Sequence, residues 1–462
     1  MKQLPLVKIY LSFSLLAAMA APSLAIPSDS QTASKPDPQI ANALRQISPE
    51  RIQSNIEKLV HFQTRSTISA QDAESIAAGK GIGAAREWIK SEFERYSQQC
   101  GGCLEVKTDS FTLGPAERIP GPTVITNVYA VLKGTDSSNA NRVVLVTGHY
   151  DSRRTDVLDP TGFAPGANDD ASGTAVSLEC ARVLSKMKFP ATLVFLTVAG
   201  EEQGLDGSRH FAELARSSGW QVEAALNNDI VGGDRNPRQN PHVVRVFSEG
   251  VPLTMDQKAL RMMQDIGGEN DSPSRELARY VAETSRAYAT GVKPMLVFRL
   301  DRYLRGGDHI SFLEQGFPAV RFTEYSENFN HQHQNMRTEN GVEYGDLPKF
   351  VNFDYVANVA RVNAATLASL ASAPAPPQNV HLLANSLQND STLTWDAPIG
   401  AGQLHYEVVW RLTTSPEWEH RKDVGNETRA TLPLSKDNAI FGVLASDGKG
   451  HRSFPVLPSP ER

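Results

Sequence analysis

Glu201 and Glu202 stand side by side directly after an apolar run, TLVFLTVAG from Thr192, with no lysine or arginine beside them. Each of two adjacent carboxylates raises the cost of ionising the other, so a buried-looking strand that ends on such a pair points to a use for concentrated negative charge. Other acids fall at comparable places. VVLVTGHYDS closes on His149 and Asp151, VEAALNND closes on Asp229, and APGANDDASG sets Asp169 and Asp170 in a Gly-rich turn ahead of a helical pattern. NFNHQHQN adds His331 and His333. Four or five converging carboxylates repel strongly unless multivalent cations neutralise them, and imidazole nitrogens complete the donor set such ions take.

Each residue also has a structural reading. Side chains two apart on an extended chain point the same way, so His149 could bind a metal while Asp151 holds its ring, fixing the tautomer and raising its basicity. An Asp before a helix is a favoured N-cap; this accounts for one of Asp169 and Asp170 and leaves the other able to bridge two cations. Glu201 and Glu202 could be a solvated loop, Asp229 a turn former, and His331 and His333 a surface loop. The accumulation of acids after three successive strand-like runs outweighs these alternatives. In an open α/β sheet such strand ends gather on one edge, where ligands bind.

Strand-like runs (VVLVTGHY, TLVFLTVAG, VEAALNNDIVG, PMLVFRL, PAVRFTE) alternate with helical patterns (SGTAVSLECARVLSKM, SRHFAELARSS, SRELARYVAETSRAY and the segment 347–370). That alternation predicts an α/β fold: a central, mostly parallel mixed β-sheet flanked by helices on both faces. SPERIQSNIEKLVHF and GIGAAREWIKSEFERYS read as helices ahead of it. From Ala371 the composition shifts to the Pro-rich SAPAPPQ, and short alternating segments with Trp395 and Tyr406 then fit a small C-terminal β-sandwich of the fibronectin type III kind.

The chain has 462 residues, 40% hydrophobic and 21% charged, and a formal net charge of -6. That size suffices for a large core and a second domain, and the scattered lysines and arginines give no basic stripe for nucleic acid. Lys2 and Lys8 before YLSFSLLAAMAA, with Ser23-Leu24-Ala25 after it, read as a cleavable signal, so the chain is expected to be exported, secreted or periplasmic. No later run is long and apolar enough to cross a membrane. The expected organisation is signal peptide 1–25, flexible leader 26–38, catalytic domain 39–371, linker 372–378 and sandwich 379–462. Cys100 and Cys103 in CGGC are expected to close a disulfide loop, and Cys180 to be a buried free thiol.

HYDS, PGANDDASG, GEEQGLDGS, NNDIVGG and GGDHISF, in that order across residues 140–340, resemble motifs of the M28 family of co-catalytic zinc metallopeptidases, the Vibrio- and Streptomyces-type aminopeptidases. The resemblance implies two zinc ions per chain. It makes His149 and Asp229 ligands of one ion, Glu202 a ligand of the other and Asp169 the bridging carboxylate. Glu201 becomes the general base and Asp151 the partner of His149. His333 is the preferred last ligand, with His331 as the alternative; the Asp that many members carry four or five positions after that histidine is absent from HQHQNMR. Asp308 and His309 take a supporting role. The implied activity is that of an exopeptidase, an aminopeptidase first, removing N-terminal residues from peptides by way of a metal-bridging water. A single-zinc glutaminyl cyclase-like acyltransferase and a non-catalytic peptidase-like binding protein are the alternatives. The C-terminal module is expected to serve attachment to substrate, a cell surface or the catalytic domain.

Overall fold

The computed structural model describes residues 36–385, 387–398 and 404–461; the expected signal segment, and the leader up to residue 35, lie outside the described residues. Helices α1 (Pro38–Leu44), α2 (Pro49–His61), α3 (Ala73–Ala77) and α4 (Gly81–Gln99) come first. Strands β1 (Glu105–Leu113), β2 (Thr123–Leu132) and β3 (Arg142–His149) lead to α5 (Ala171–Leu184) and β4 (Thr192–Val198). Then follow α6 (Glu201–Gly204), α7 (Asp206–Ser217), β5 (Gln221–Asn228), β6 (Val243–Ser248), α8 (Gln257–Asp265) and α9 (Pro273–Tyr288). The series ends with β7 (Lys293–Val297), α10 (His309–Glu314), β8 (Ala319–Glu324), a small hairpin β9 (Arg337–Glu339) and β10 (Val342–Tyr344), and α11 (Phe353–Ser372).

Eight strands form one sheet in the order β1-β2-β4-β3-β5-β8-β6-β7. β4, β3, β5 and β8 lie side by side and parallel, so their carboxyl ends share one edge. β2 pairs antiparallel with β1 and β4, and β6 antiparallel with β8. The sheet is therefore mixed and mostly parallel in its centre. Side chains alternate between faces: Val144 and Val146 of β3 join a core built with α2, α4, α5 and α11, while Val143 and Leu145 join a second core with Phe211 of α7 and Phe312 of α10. Both faces are covered, which accounts for the near-continuous apolar composition of β3 and β4.

The pattern in the sequence did not mark β1, β2, β6 or α1. β1 is the outermost strand and largely exposed, and no helix intervenes between it and its antiparallel neighbour β2, so no strand–helix alternation signals the pair. α1 begins at Pro38, capped by Asp37, inside the expected leader. The helix read from residue 347 opens as a 3-10 turn, Pro348–Phe350, and α11 proper starts after the cap at Asn352. Cys100 and Cys103 are disulfide-bonded at the end of α4, and Cys180 is a buried free cysteine on α5.

Beyond α11 the chain forms a small β-sandwich. β11 (Gln378–Leu383), β12 (Ser391–Asp396), β15 (Arg429–Leu432) and β17 (Ser459–Glu461) make one sheet; β13 (His405–Leu412), β14 (His420–Asp423) and β16 (Ala439–Ser446) make the other. Trp395 and Tyr406 are buried between them in an edge-on ring contact. No helix among the described residues is long and apolar enough to cross a membrane.

Candidate metal centre

β3 delivers His149, fully buried, to the carboxyl edge of the sheet. Its Nδ1 lies 3.3 Å from Asp151 Oδ1 and 3.2 Å from the Asp151 carbonyl oxygen. Both are acceptors on one residue, so either makes Nδ1 the protonated nitrogen and directs the Nε2 lone pair toward the centre as a metal ligand. Nε2 faces Asp169 Oδ1 at 3.2 Å and Asp229 Oδ1 at 3.9 Å. Asp151 is itself held: Thr67 Oγ1 and the backbone N–H of Glu202 both donate to its Oδ2, at 3.0 and 3.2 Å.

The turn before α5 divides its two acids. Asp170 caps the helix, accepting from Gly173 N at 2.9 Å, and also accepts from His149 N at 3.0 Å. Asp169, across a cis peptide from it, projects into the centre. Backbone N–H groups of Asn168 and Asp169 donate to the Asp346 carboxylate at 2.8 and 2.7 Å, fixing the turn from below.

β4 ends at Val198, and Gly200, with φ +79°, turns the chain so that Glu201 and Glu202 open α6. Glu202 Oε1 lies 2.9 Å from His333 Nε2, which is also 2.8 Å from Asp169 Oδ2. Two clusters result, His149–Glu201–Asp229 and Asp169–Glu202–His333, each with its ligand atoms within 4.8 Å of one another. Asp169 stands between them, Oδ1 toward His149 and Oδ2 toward His333. His331 turns away, pairing with Asp234 and stacking on Phe350 at 3.7 Å between ring centroids.

Residues 127–347 match the model of peptidase family M28. Among similar relatives, a probable zinc metalloprotease of Pyrenophora tritici-repentis is 48% identical over 92% of this chain and 88% of its own length. One from Pyricularia oryzae is 47% identical over 93% and 86%. The chain belongs to peptidase family M28. Its fold is shared with two Legionella pneumophila proteins: the LapA aminopeptidase (TM-score 0.51, 22% identity, 72% of this chain and 75% of that one) and LapB (TM-score 0.51, 19% identity, 72% and 75%).

In this zinc metallopeptidase the electrostatics of the centre describe a demand for positive charge. Burial works against a charged His149 ring, yet Asp151, Asp169 and Glu201 hold its pKa well above the usual imidazole range. Burial opposes His333 in the same way, and Glu202 and Asp169 push it up to about 10. Asp169 is buried but is drawn well below the ordinary carboxylate range, chiefly by His333 and His149. Burial lifts Glu201 well above its usual value; His149 opposes, and Asp229, Glu202 and Asp308 reinforce the rise. The M28 chain by itself thus meets the need with histidine protons, which are what a cation displaces on binding.

The donor set fits zinc. Each cluster offers one imidazole nitrogen and two carboxylate oxygens, the ligand types that zinc takes, and the buried His149 Nε2 and Glu202 Oε1 meet Asp169 and His333 only as ion-pair approaches, with no well-directed hydrogen bond. Asp308 and His309 sit nearby, both buried. Burial pushes the Asp308 carboxyl up to about 7, with Asp229 and Asp151 reinforcing this and His149 opposing it. Thr67, Asp346, Gln332 and Arg321 also meet the centre and were not singled out from the sequence. Gln332 Nε2 donates to Asp169 Oδ2 at 3.1 Å. Only Arg321 carried a signal there, a charge within the apolar strand run PAVRFTE.

Proposed function

We propose that the chain is an exported di-zinc exopeptidase acting as an aminopeptidase. The observation that carries this reading is the division of Asp169, one oxygen toward each cluster. On this reading His149, Asp229 and Asp169 hold one zinc, and Asp169, Glu202 and His333 the other. The zinc pair, when bound, supplies Lewis acidity that polarises the scissile carbonyl and acidifies water. Asp151 keeps the His149 ring oriented and its Nδ1 protonated. Glu201, half-buried next to Glu202, removes a proton from the attacking water and returns it to the leaving amine nitrogen. The aminopeptidase reading follows from the motif resemblance and agrees with the fold shared with the Legionella aminopeptidase; export follows from the N-terminal signal pattern.

A panel of aminoacyl-p-nitroanilides, assayed before and after chelation and again after zinc is restored, tests the activity. Hydrolysis should vanish with the metal and return with it. Glu201→Gln should keep its full zinc content while turnover falls by about 10²-fold or more. A variant with undiminished turnover would remove Glu201 from the role of base. Two zinc equivalents per chain separate this reading from a single-zinc acyltransferase.

A further inference from the structure

Arg321 is a cation placed among the acids. It is fully buried on β8, in register with Asn227 of β5, two residues before Asp229. Its Nη2 lies 2.8 Å from Asp229 Oδ2, and its Nη1 lies 3.2 Å from Asp301 Oδ2 and donates to the Gly306 carbonyl at 2.7 Å. Gly307 keeps this place open: a Cβ there would fall 2.4 Å from Nη1 and 3.3 Å from Asp229 Oδ2. The oxygens of Asp229 are therefore divided, Oδ2 toward the guanidinium and Oδ1 toward His149 Nε2. The other cluster is different. Among the described residues, the carboxylates of Asp169 and Glu202 form ion pairs with His149 and His333 and with no lysine or arginine.

We infer that Arg321 is a positioning residue that makes the two metal half-sites unequal, holding Asp229 to a single ligand oxygen and weakening divalent-cation binding at the His149–Asp229 half alone. This rests on the two-ion reading above. A fixed positive charge beside a ligand oxygen repels an incoming dication most where it is closest and least screened. The Asp169–Glu202–His333 half therefore fills first, and the His149–Asp229 half follows at higher zinc concentration.

The test is a zinc titration of the chelator-stripped full chain against a competing chromophoric chelator, which reads both affinities without an activity assay. The wild-type chain should show two binding events of unequal strength. In Arg321→Met, checked for folding by circular dichroism, the weaker event should tighten by about tenfold or more relative to the stronger one. Arg321→Lys, which keeps the charge, should keep the gap. A gap unchanged in folded Arg321→Met, or lost in Arg321→Lys, overturns the inference. Should Arg321→Met not fold, Gly307→Ala carries the test by crowding the guanidinium off Asp229: a narrowed gap supports the inference and an unchanged gap overturns it. Equal affinities in the wild-type chain overturn this inference alone, whereas no uptake of zinc at all overturns the two-ion reading along with it.

Discussion

At the residue scale, Asp169 is free to face two clusters because its neighbour Asp170 does the capping. Asp170 accepts from Gly173 N and His149 N, so the helix end needs nothing from Asp169. His331 and His333 divide in a similar way. His333 Nε2 sits between Asp169 and Glu202, while His331 pairs with Asp234 and stacks on Phe350. His333→Ala should therefore lose one zinc equivalent per chain, and His331→Ala should keep both and lose only some thermal stability. Elemental analysis of the purified variants decides it; the reverse pattern would move the ligand to His331. His149, Asp151, Glu201, Glu202 and Asp229 were legible in the sequence because each is a chemically costly residue at the end of a strand-like run, whereas Asp169 stood out in a Gly-rich turn ahead of a helix and His331 and His333 in a His-rich segment after PAVRFTE. Thr67 and Asp346 were not: they reach the centre across 84 and 177 residues of chain, to Asp151 and to the Asp169 backbone, and nothing in a local pattern encodes such a contact.

At the scale of elements, the centre depends on how closely β3, α5 and the end of β5 approach. A Cβ on Gly148 would lie 2.4 Å from the Gly173 backbone, and one on Gly173 would lie 2.1 Å from the Asn228 carbonyl oxygen. Only hydrogens fit between these backbones. Gly173→Ala should force α5 outward, cost about 1–3 kcal/mol in overpacking and weaken zinc binding through the displaced Asp169 turn; a melting temperature and zinc affinity equal to wild type would refute the close-packing argument. Beyond β6, Glu249 offers a test in pH. Burial pushes its carboxyl from 4.5 up to about 7, against hydrogen bonds from Leu253 N and Ser274 and the charge of Arg275. The folded chain thus holds this proton through a window in which the unfolded chain has released it, so this residue's contribution to stability falls as pH rises from about 4.5 to about 7. Glu249→Gln should flatten that part of a plot of melting temperature against pH, and an unaltered slope would show that the carboxyl does not titrate there. β3 and β4 were legible because strands buried on both faces write continuous apolar runs; VVRVFS of β6 breaks its run with a partly exposed arginine, and β2, though buried along most of its length, carries Thr126 and Asn127 within TVITNVYAVL.

At the scale of the whole molecule, the sandwich is bound to the catalytic domain through α9. Asp271, just ahead of that helix, is buried and shared by Arg279 of α9, at 3.1 Å, and Arg411 of β13. Trp418 Nε1 donates to Glu276 at 2.8 Å, Arg279 Nε to the Pro416 carbonyl at 2.7 Å, and Arg421 Nη2 to Glu283 at 2.9 Å. His451 Nε2 lies 3.0 Å from Asp37, the cap of α1, so the same module also holds the start of the described chain. The Pro-rich stretch in the sequence suggests a tether, but these contacts join residues about 140 apart, and composition cannot show them. Removing one partner of a buried ion pair strands the other charge in a medium that cannot solvate it, at a cost of about 3–5 kcal/mol. Arg411→Ala leaves Asp271 with Arg279 alone, so only part of that cost should appear, and it should fall at the seam rather than in either core. Because the sandwich keeps its own core around Trp395 and Val408, the loss should uncouple the two domains before it unfolds them. Calorimetry should then show one cooperative transition in the wild-type chain and two in Arg411→Ala, with the sandwich docking no longer protecting α9 from hydrogen exchange; a single transition at the wild-type temperature would mean that the two domains are held together by something other than this charged seam.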